Sequence, residues 1–125
     1  MKEDSLIFAF KEEQPIGFLM WYPDFNELVK QGEIFGAKHF ARKLLRGERY
    51  DTAKVMEFGV LERYRMLGIP LALLYQVSLR LKKYGITKGE TSWILEENVD
   101  SNRVCQAVCD EPYKRYVVYE KRISE

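Results

Sequence analysis

The chain has little of what marks several large protein classes. Its 125 residues include two cysteines and a single histidine. Cys105 and Cys109, four apart on one expected helix, make no disulfide framework. One histidine gives no cluster of ligands, so no metal site is expected. A nucleophilic triad built on His39 has no second support either. No apolar run nears the roughly 18 residues of a membrane span. The opening Met1-Lys2-Glu3-Asp4 is polar and acidic, unlike a signal peptide. No membrane partner is expected, and the expected location is cytoplasmic. Charge of one sign is also missing: 20 basic and 19 acidic side chains leave a formal net charge of +1. That balance gives no reason to expect a nucleic-acid partner. No internal repeat or low-complexity segment is visible.

What is present has the balance of a folded domain. Hydrophobic residues make up 46% and charged residues 31%, which argues against disorder. The length suits one domain, 1–125, with a single core. Ser5–Phe10 and Ile16–Tyr22 read as a hairpin around the turn signal Glu12-Glu13-Gln14-Pro15, giving an N-terminal hairpin over 5–22. Pro23-Asp24-Phe25-Asn26 breaks the second strand and caps a short helix from Glu27 to Gln31. Ile34–Arg49 reads as a further helical stretch with an apolar stripe of Phe35, Phe40 and Leu44, so 24–49 forms a helical insertion. Residues 54–61 give a third strand, 69–84 a helix ended by Gly85, and Lys88–Leu95 a fourth strand. A helix from Asp100 or Ser101 toward Cys109 and a last strand from Tyr113 to Arg122 complete a mixed α/β order.

The most informative stretch runs from Lys54 to Tyr84. The apolar run Val55-Met56-Glu57-Phe58-Gly59-Val60-Leu61 stops at the charged Glu62-Arg63-Tyr64-Arg65, and Gly68 bends the backbone before a helix. That helix places Ile69, Leu73, Val77 and Leu81 at fourfold spacing. A strand feeding a glycine turn that opens a helix aims free N–H groups and the positive helix end at one point, where phosphate binds.

At these residues the chain resembles the GNAT superfamily of N-acetyltransferases. Tyr64-Arg65-x-x-Gly68-Ile69, leading into Leu71-Ala72-Leu73-Leu74, is similar to that family's motif A. Trp93-Ile94-Leu95-Glu96-Glu97-Asn98 is similar to its strand ending in acidic residues and a helix-opening Asn. Pro112-Tyr113-Lys114-Arg115-Tyr116-Val117-Val118-Tyr119-Glu120-Lys121 resembles the closing strand of an uncharacterised bacterial GNAT-like group. The motif-bearing core is 54–122, and Pro15-Ile16-Gly17-Phe18 extends it weakly. The resemblance implies a GNAT-like fold, a mainly antiparallel mixed sheet apparently lacking the first strand and first helix pair. It also implies a C-terminal portion of such a domain. The missing strand would leave Leu6–Phe10 as an open apolar edge, so a homodimer or a rearranged edge is expected.

The resemblance further implies acetyl-CoA, or another acyl-CoA, as co-substrate. Arg65, Met66, Leu67, Gly68, Ile69, Pro70 and Leu71 would hold its pyrophosphate, Phe58, Gly59 and Val60 its acyl-pantetheine, and Asn98 its arm. A small-molecule or peptide amine would attack the thioester directly in a ternary complex. The missing N-terminal elements and two departures from the motifs favour an alternative, a non-catalytic GNAT-like binding or interaction module with a degenerate CoA site. Pro70, with no N–H, stands where the family usually has Gly or Ala, and counting seven from Asn98 reaches Cys105 where many members carry an acidic Tyr.

The residues themselves leave alternatives open. The Gly68 turn is either a phosphate cradle or an ordinary capping turn. Gly59 is either a close approach to a ligand or a plain bulge. Asn98 is either a cofactor contact or a helix-start residue. Glu57, Glu96 and Glu97 are candidate bases or solvated carboxylates. Cys105 is a candidate acid or a small buried hydrophobe. Tyr113, Tyr116 and Tyr119 could supply an acid, or simply alternate along a strand. Lys38, His39, Arg42, Lys43, Arg46 and Arg49 form either a solvated face or a patch for a 3′-phosphate or an acidic acceptor.

Overall fold

The structure, a computed structural model, describes residues 3–34, 36–47, 49–109, 111–112 and 114–122. The chain divides into two compact units, Met1–Ser92 and Trp93–Glu125.

The first unit is built on a four-stranded sheet in the order β1-β2-β3-β4. Strands β1 (Leu6–Lys11) and β2 (Gln14–Pro23) form the expected antiparallel hairpin. Period-2 alternation sends Ile7, Leu19 and Trp21 into the core and leaves Phe8 and Phe10 exposed on the other face. Strand β3 (Thr52–Val60) pairs antiparallel with β2. Helix α2 (Ile69–Lys83) then crosses over to β4 (Lys88–Thr91), which pairs parallel with β3. The fourfold apolar spacing does what it promised: Leu73, Val77 and Leu81 are buried against Ile7, Leu19, Trp21 and Ala53. Burying each of the larger aliphatic side chains contributes about 1.5–3 kcal/mol. Gly85, at φ 69°, terminates α2 in a Schellman arrangement, with Ile86 N–H donating to Leu81 O and Gly85 N–H to Lys82 O.

The start of the chain is stitched to the end of α2. Trp21 Nε1 donates to Asp4 O at 2.9 Å, and Asp4 Oδ2 accepts from Lys83 Nζ at 2.8 Å and Tyr84 OH at 3.0 Å. Those two bonds, Lys83's foremost, hold the Asp4 carboxyl below its ordinary range.

The insertion departs from expectation in two ways. A 3-10 turn over Phe25–Leu28, capped by Asp24 Oδ1 on Asn26 N–H, replaces the short helix expected at Glu27–Gln31. Glu27 is drawn away: its carboxylate accepts from the backbone N–H of Asp51 and Thr52 at the entrance to β3. Helix α1 (Ala37–Arg46) forms within the expected stretch, but its expected apolar stripe faces outward. Phe40 is 63% and Leu44 84% exposed, whereas His39 is fully buried; Phe35 lies outside the described residues. The cause is Glu33, whose carboxylate collects Arg42, Lys38, His39 Nε2 and the Lys30 N–H. With His39 and Arg42 turned to Glu33, Phe40 and Leu44 come to the outer side of α1. Arg42 above all holds the Glu33 carboxyl far below its ordinary range. The expected basic face is therefore partly turned inward.

In the second unit α3 (Val99–Gln106) is the expected helix, slightly earlier and shorter. The expected fourth strand stops at Thr91 rather than Leu95. No strand forms over the described part, 114–122, of the expected last strand; Tyr113 lies outside the described residues. Strands need a ladder for their backbone groups. Residues 114–122 are exposed throughout.

Candidate functional site

The site begins where two strands of unequal length part. The parallel ladder runs only from Thr52↔Lys88 to Val55↔Thr91, although β3 continues five residues to Val60. Ser92 closes the ladder: its N–H donates to Val55 O at 3.0 Å and its hydroxyl to the same carbonyl at 2.8 Å. Beyond this point β3 keeps β2 on one side and is released from β4 on the other. Leu61 N–H donates to Ile16 O, with Val60 opposite Gly17 and Gly59 opposite Phe18. By the alternation of an antiparallel ladder, Gly59 directs its N–H and C=O toward β2, while Phe58 and Val60 direct theirs to the released edge.

Gly59 is required by its own strand partner. A Cβ there would lie 2.8 Å from Phe18 Cε1. The bulge lies instead at Met56, since Met20 faces Glu57 and Trp21 faces Val55, leaving Met56 as the extra residue. Gly59 is therefore not the bulge residue, and what lies close to it is the Phe18 ring rather than a ligand.

The released edge leads into the glycine turn. Residues Glu62–Leu67 form a 3-10 helix with Tyr64 buried, and Arg65 Nε donates back to Val60 O at 3.2 Å. Gly68 follows at φ 76°, ψ 0°, the left-handed conformation, and serves as N-cap of α2. A Cβ at Gly68 would meet no heavy atom within 4 Å, so the turn has room for a ligand atom. Pro70 is buried and packs inward, so it removes one N–H from the helix start without blocking the turn. Ile69 and Leu71 retain theirs, at the positive end of the helix. Met66, 91% exposed, and Leu67 stand at the surface beside them. The structure thus brings Phe58, Gly59, Val60, Arg65, Gly68, Ile69 and Leu71 to one end of the first unit. Glu57 is exposed on the sheet face away from α2, opposite Met20.

Asn98 and Cys105 belong to the second unit. Asn98 caps α3, its Oδ1 accepting from Ser101 N–H at 3.1 Å, which is the helix-start reading. Cys105 is a half-buried thiol on α3, and Glu96 and Glu97 are exposed in the turn before Asn98. Among the described residues no three His, Cys, Asp or Glu side chains converge as metal ligands, and no helix is long and apolar enough to cross a membrane. The feature the sequence did not announce is the Met56–Ser92 junction. A serine after a strand carries no signal of its own, and the bulge shows only in the register.

This arrangement defines the GNAT fold: an antiparallel run of strands, a glycine-opened helix, and a parallel strand that leaves its neighbour partway. The aminoglycoside N-acetyltransferase AAC(6')-Iy, in complex with the bisubstrate analog CoA-S-monomethyl-acetylneamine, superimposes with a TM-score of 0.65 at 19% identity, over 94% of this chain and 69% of that one. The ribosomal-protein-alanine N-acetyltransferase of Brucella melitensis biovar Abortus 2308 does so with a TM-score of 0.62 at 14% identity, over 93% and 70%. In sequence, the chain is 35% identical over 130 residues to Protein YghO of Escherichia coli strain K12, covering 97% of this chain. It spans only 33% of that relative's length. No family model matches the chain.

Proposed function

We propose that the chain carries an acyl-CoA-dependent N-acyltransferase site, with acetyl-CoA or another acyl-CoA as co-substrate and a small-molecule or peptide amine as acceptor. The observation that carries this reading is the released β3 edge beside the Gly68 turn. Together they offer a phosphate-bearing thioester a strand edge without a strand partner and a helix start. That solved neighbours of the same fold bind CoA or a CoA conjugate supports it. Gly68, Ile69 and Leu71, with Arg65 nearby, would hold the pyrophosphate together with the surface residues Met66 and Leu67 and the helix-start Pro70. Phe58 and Val60 would bond the pantetheine arm along the released edge, with Gly59 keeping that edge in place. Asn98 would contact the arm.

In the reaction the acceptor nitrogen attacks the thioester carbonyl, a C–N bond forms, the C–S bond breaks and CoA leaves as thiolate. Backbone N–H groups of the released edge orient the carbonyl and stabilise the oxygen as it gains charge. Glu57 takes the proton the nitrogen loses, directly or through water, and the Cys105 thiol is the candidate donor to the departing sulfur. A homodimer through the outer edge of β1, where Phe8 and Phe10 are exposed, belongs to the same reading, as does a cytoplasmic location.

A second reading is favoured by one observation: Pro70 sits at the second helical position and takes an N–H from the anion site. A GNAT-like module that binds without catalysis would tolerate that loss. The deciding experiment follows free thiol release from acetyl-CoA with a panel of primary amines. Amine-dependent release supports the transferase; binding of acetyl-CoA without release under any amine supports the module.

A further inference from the structure

We propose that Met56, held across the end of the β3–β4 ladder by Ser92, sets the size of the acyl group the chain accepts. The inference rests on the acyl-CoA reading above and names the substrate class of that same site. A thioester anchored by its phosphates at the Gly68 turn runs back along the released edge from Val60 toward Val55. Four residues of strand separate Val60 from Met56, about 13 Å at the usual rise. The far end of the arm, which carries the acyl group, therefore arrives at the ladder's end. Met56 stands there. It is the extra residue of the bulge, a device that re-aims a side chain. Its Sδ lies 3.0 Å from Ser92 Oγ, so the side chain spans from β3 to the residue that follows β4.

Ser92 fixes that position. Its hydroxyl has one proton, shared between Val55 O at 2.8 Å and Met56 Sδ at 3.0 Å. A thioether left free would flex and admit a range of shapes; tied to Ser92 it is a stop. Met56 is 39% exposed, so the core does not consume its side chain. A short acyl group ends against it, and a longer one has to displace it and break the Ser92 contact. Ser92 is thus a positioning residue and Met56 the specificity determinant.

The test is calorimetric titration of CoA, acetyl-CoA, butyryl-CoA and hexanoyl-CoA into the full chain as wild type, Met56→Ala and Ser92→Ala, with folding checked by circular dichroism. The wild type should bind acetyl-CoA about tenfold or more tighter than hexanoyl-CoA, the scale on which a pocket resolves added methylenes. Met56→Ala should bring the two within about threefold while free CoA binds as before. Ser92→Ala should fall between, and stands as the second probe because it removes only a hydroxyl. An unchanged chain-length order in both variants, with CoA still bound, overturns the size limit alone. No binding of any CoA species by the wild type overturns the acyl-CoA reading and the size limit with it.

Discussion

Gly59 lies beneath the Phe18 ring across the β2–β3 ladder, so close that a Cβ at residue 59 would stand 2.8 Å from Phe18 Cε1. The glycine lets an aromatic side chain lie flat over the strand whose other edge is released from β4. Gly59→Ala should therefore destabilise the first unit by about 1–3 kcal/mol, the usual cost of overpacking. Urea denaturation measures it. Phe18→Ala should cost less in the Gly59→Ala background than in the wild type, because the two residues share one space. Additive effects would remove the contact from the account.

Gly68 needs its glycine for a different reason. Its φ of 76° is the left-handed region, and nothing crowds the position. Gly68→Ala should cost about 1–2 kcal/mol through backbone strain alone. Because the added methyl enters the space the turn leaves for a ligand atom, acetyl-CoA affinity should fall as well, though less than in a variant that adds a carboxylate there. Unchanged affinity in a folded Gly68→Ala would mean that the phosphates do not lie against this turn.

Asn98 has a structural role that a binding role must be separated from. Its side chain caps α3 through Ser101 N–H. Asn98→Ala should lower the stability of that helix by about 0.5–2 kcal/mol. Asp caps as well as Asn, so Asn98→Asp should restore the helix signal in circular dichroism. If Asn98 also contacts the pantetheine arm, Asn98→Asp will bind acetyl-CoA more weakly despite the restored cap.

The Glu33 cluster gives a pH dependence with a definite sign. Hydrogen bonds from Arg42, Lys30 N–H, Lys38 and His39 depress the folded carboxyl well below its unfolded value. Its stabilising contribution is therefore present above the ordinary carboxylate pKa of about 4.3 and is lost as pH falls through the depressed folded value. Glu33→Gln should free the insertion to limited proteolysis at neutral pH. In the wild type the same cleavage should appear only in strong acid, and cleavage already at pH 5 would contradict the assignment.

The parts of the fold legible in the sequence are those set by local periodicity. The hairpin, β3 and α2 follow from alternation, fourfold spacing and the Gly85 stop, and the Gly68 turn from a glycine between a strand and a helix. What escaped depends on partners distant in sequence. Phe40 and Leu44 form a proper apolar stripe, yet Glu33 captures the opposite face of α1 through Arg42 and His39, and no pattern within the helix reveals that competition. The early end of β4 and the missing strand at 114–122 reflect the same limit, since an alternating sequence permits a strand but only a ladder makes one. At the candidate site, the Gly68 turn could be read from the strand–glycine–helix order and Arg65 only from the motif resemblance, while the Met56 bulge and the Ser92 closure exist only in the register between strands.

The central claim is that the released β3 edge and the Gly68 turn together hold an acyl-CoA. Calorimetric titration of acetyl-CoA into the full chain tests it most directly, repeated with Gly68→Glu, which sets a carboxylate where the pyrophosphate would lie. The wild type should bind with micromolar affinity, and a Gly68→Glu variant that remains folded should lose that binding. Absence of heat and of any thermal shift at millimolar acetyl-CoA, or equal binding by Gly68→Glu, would contradict it.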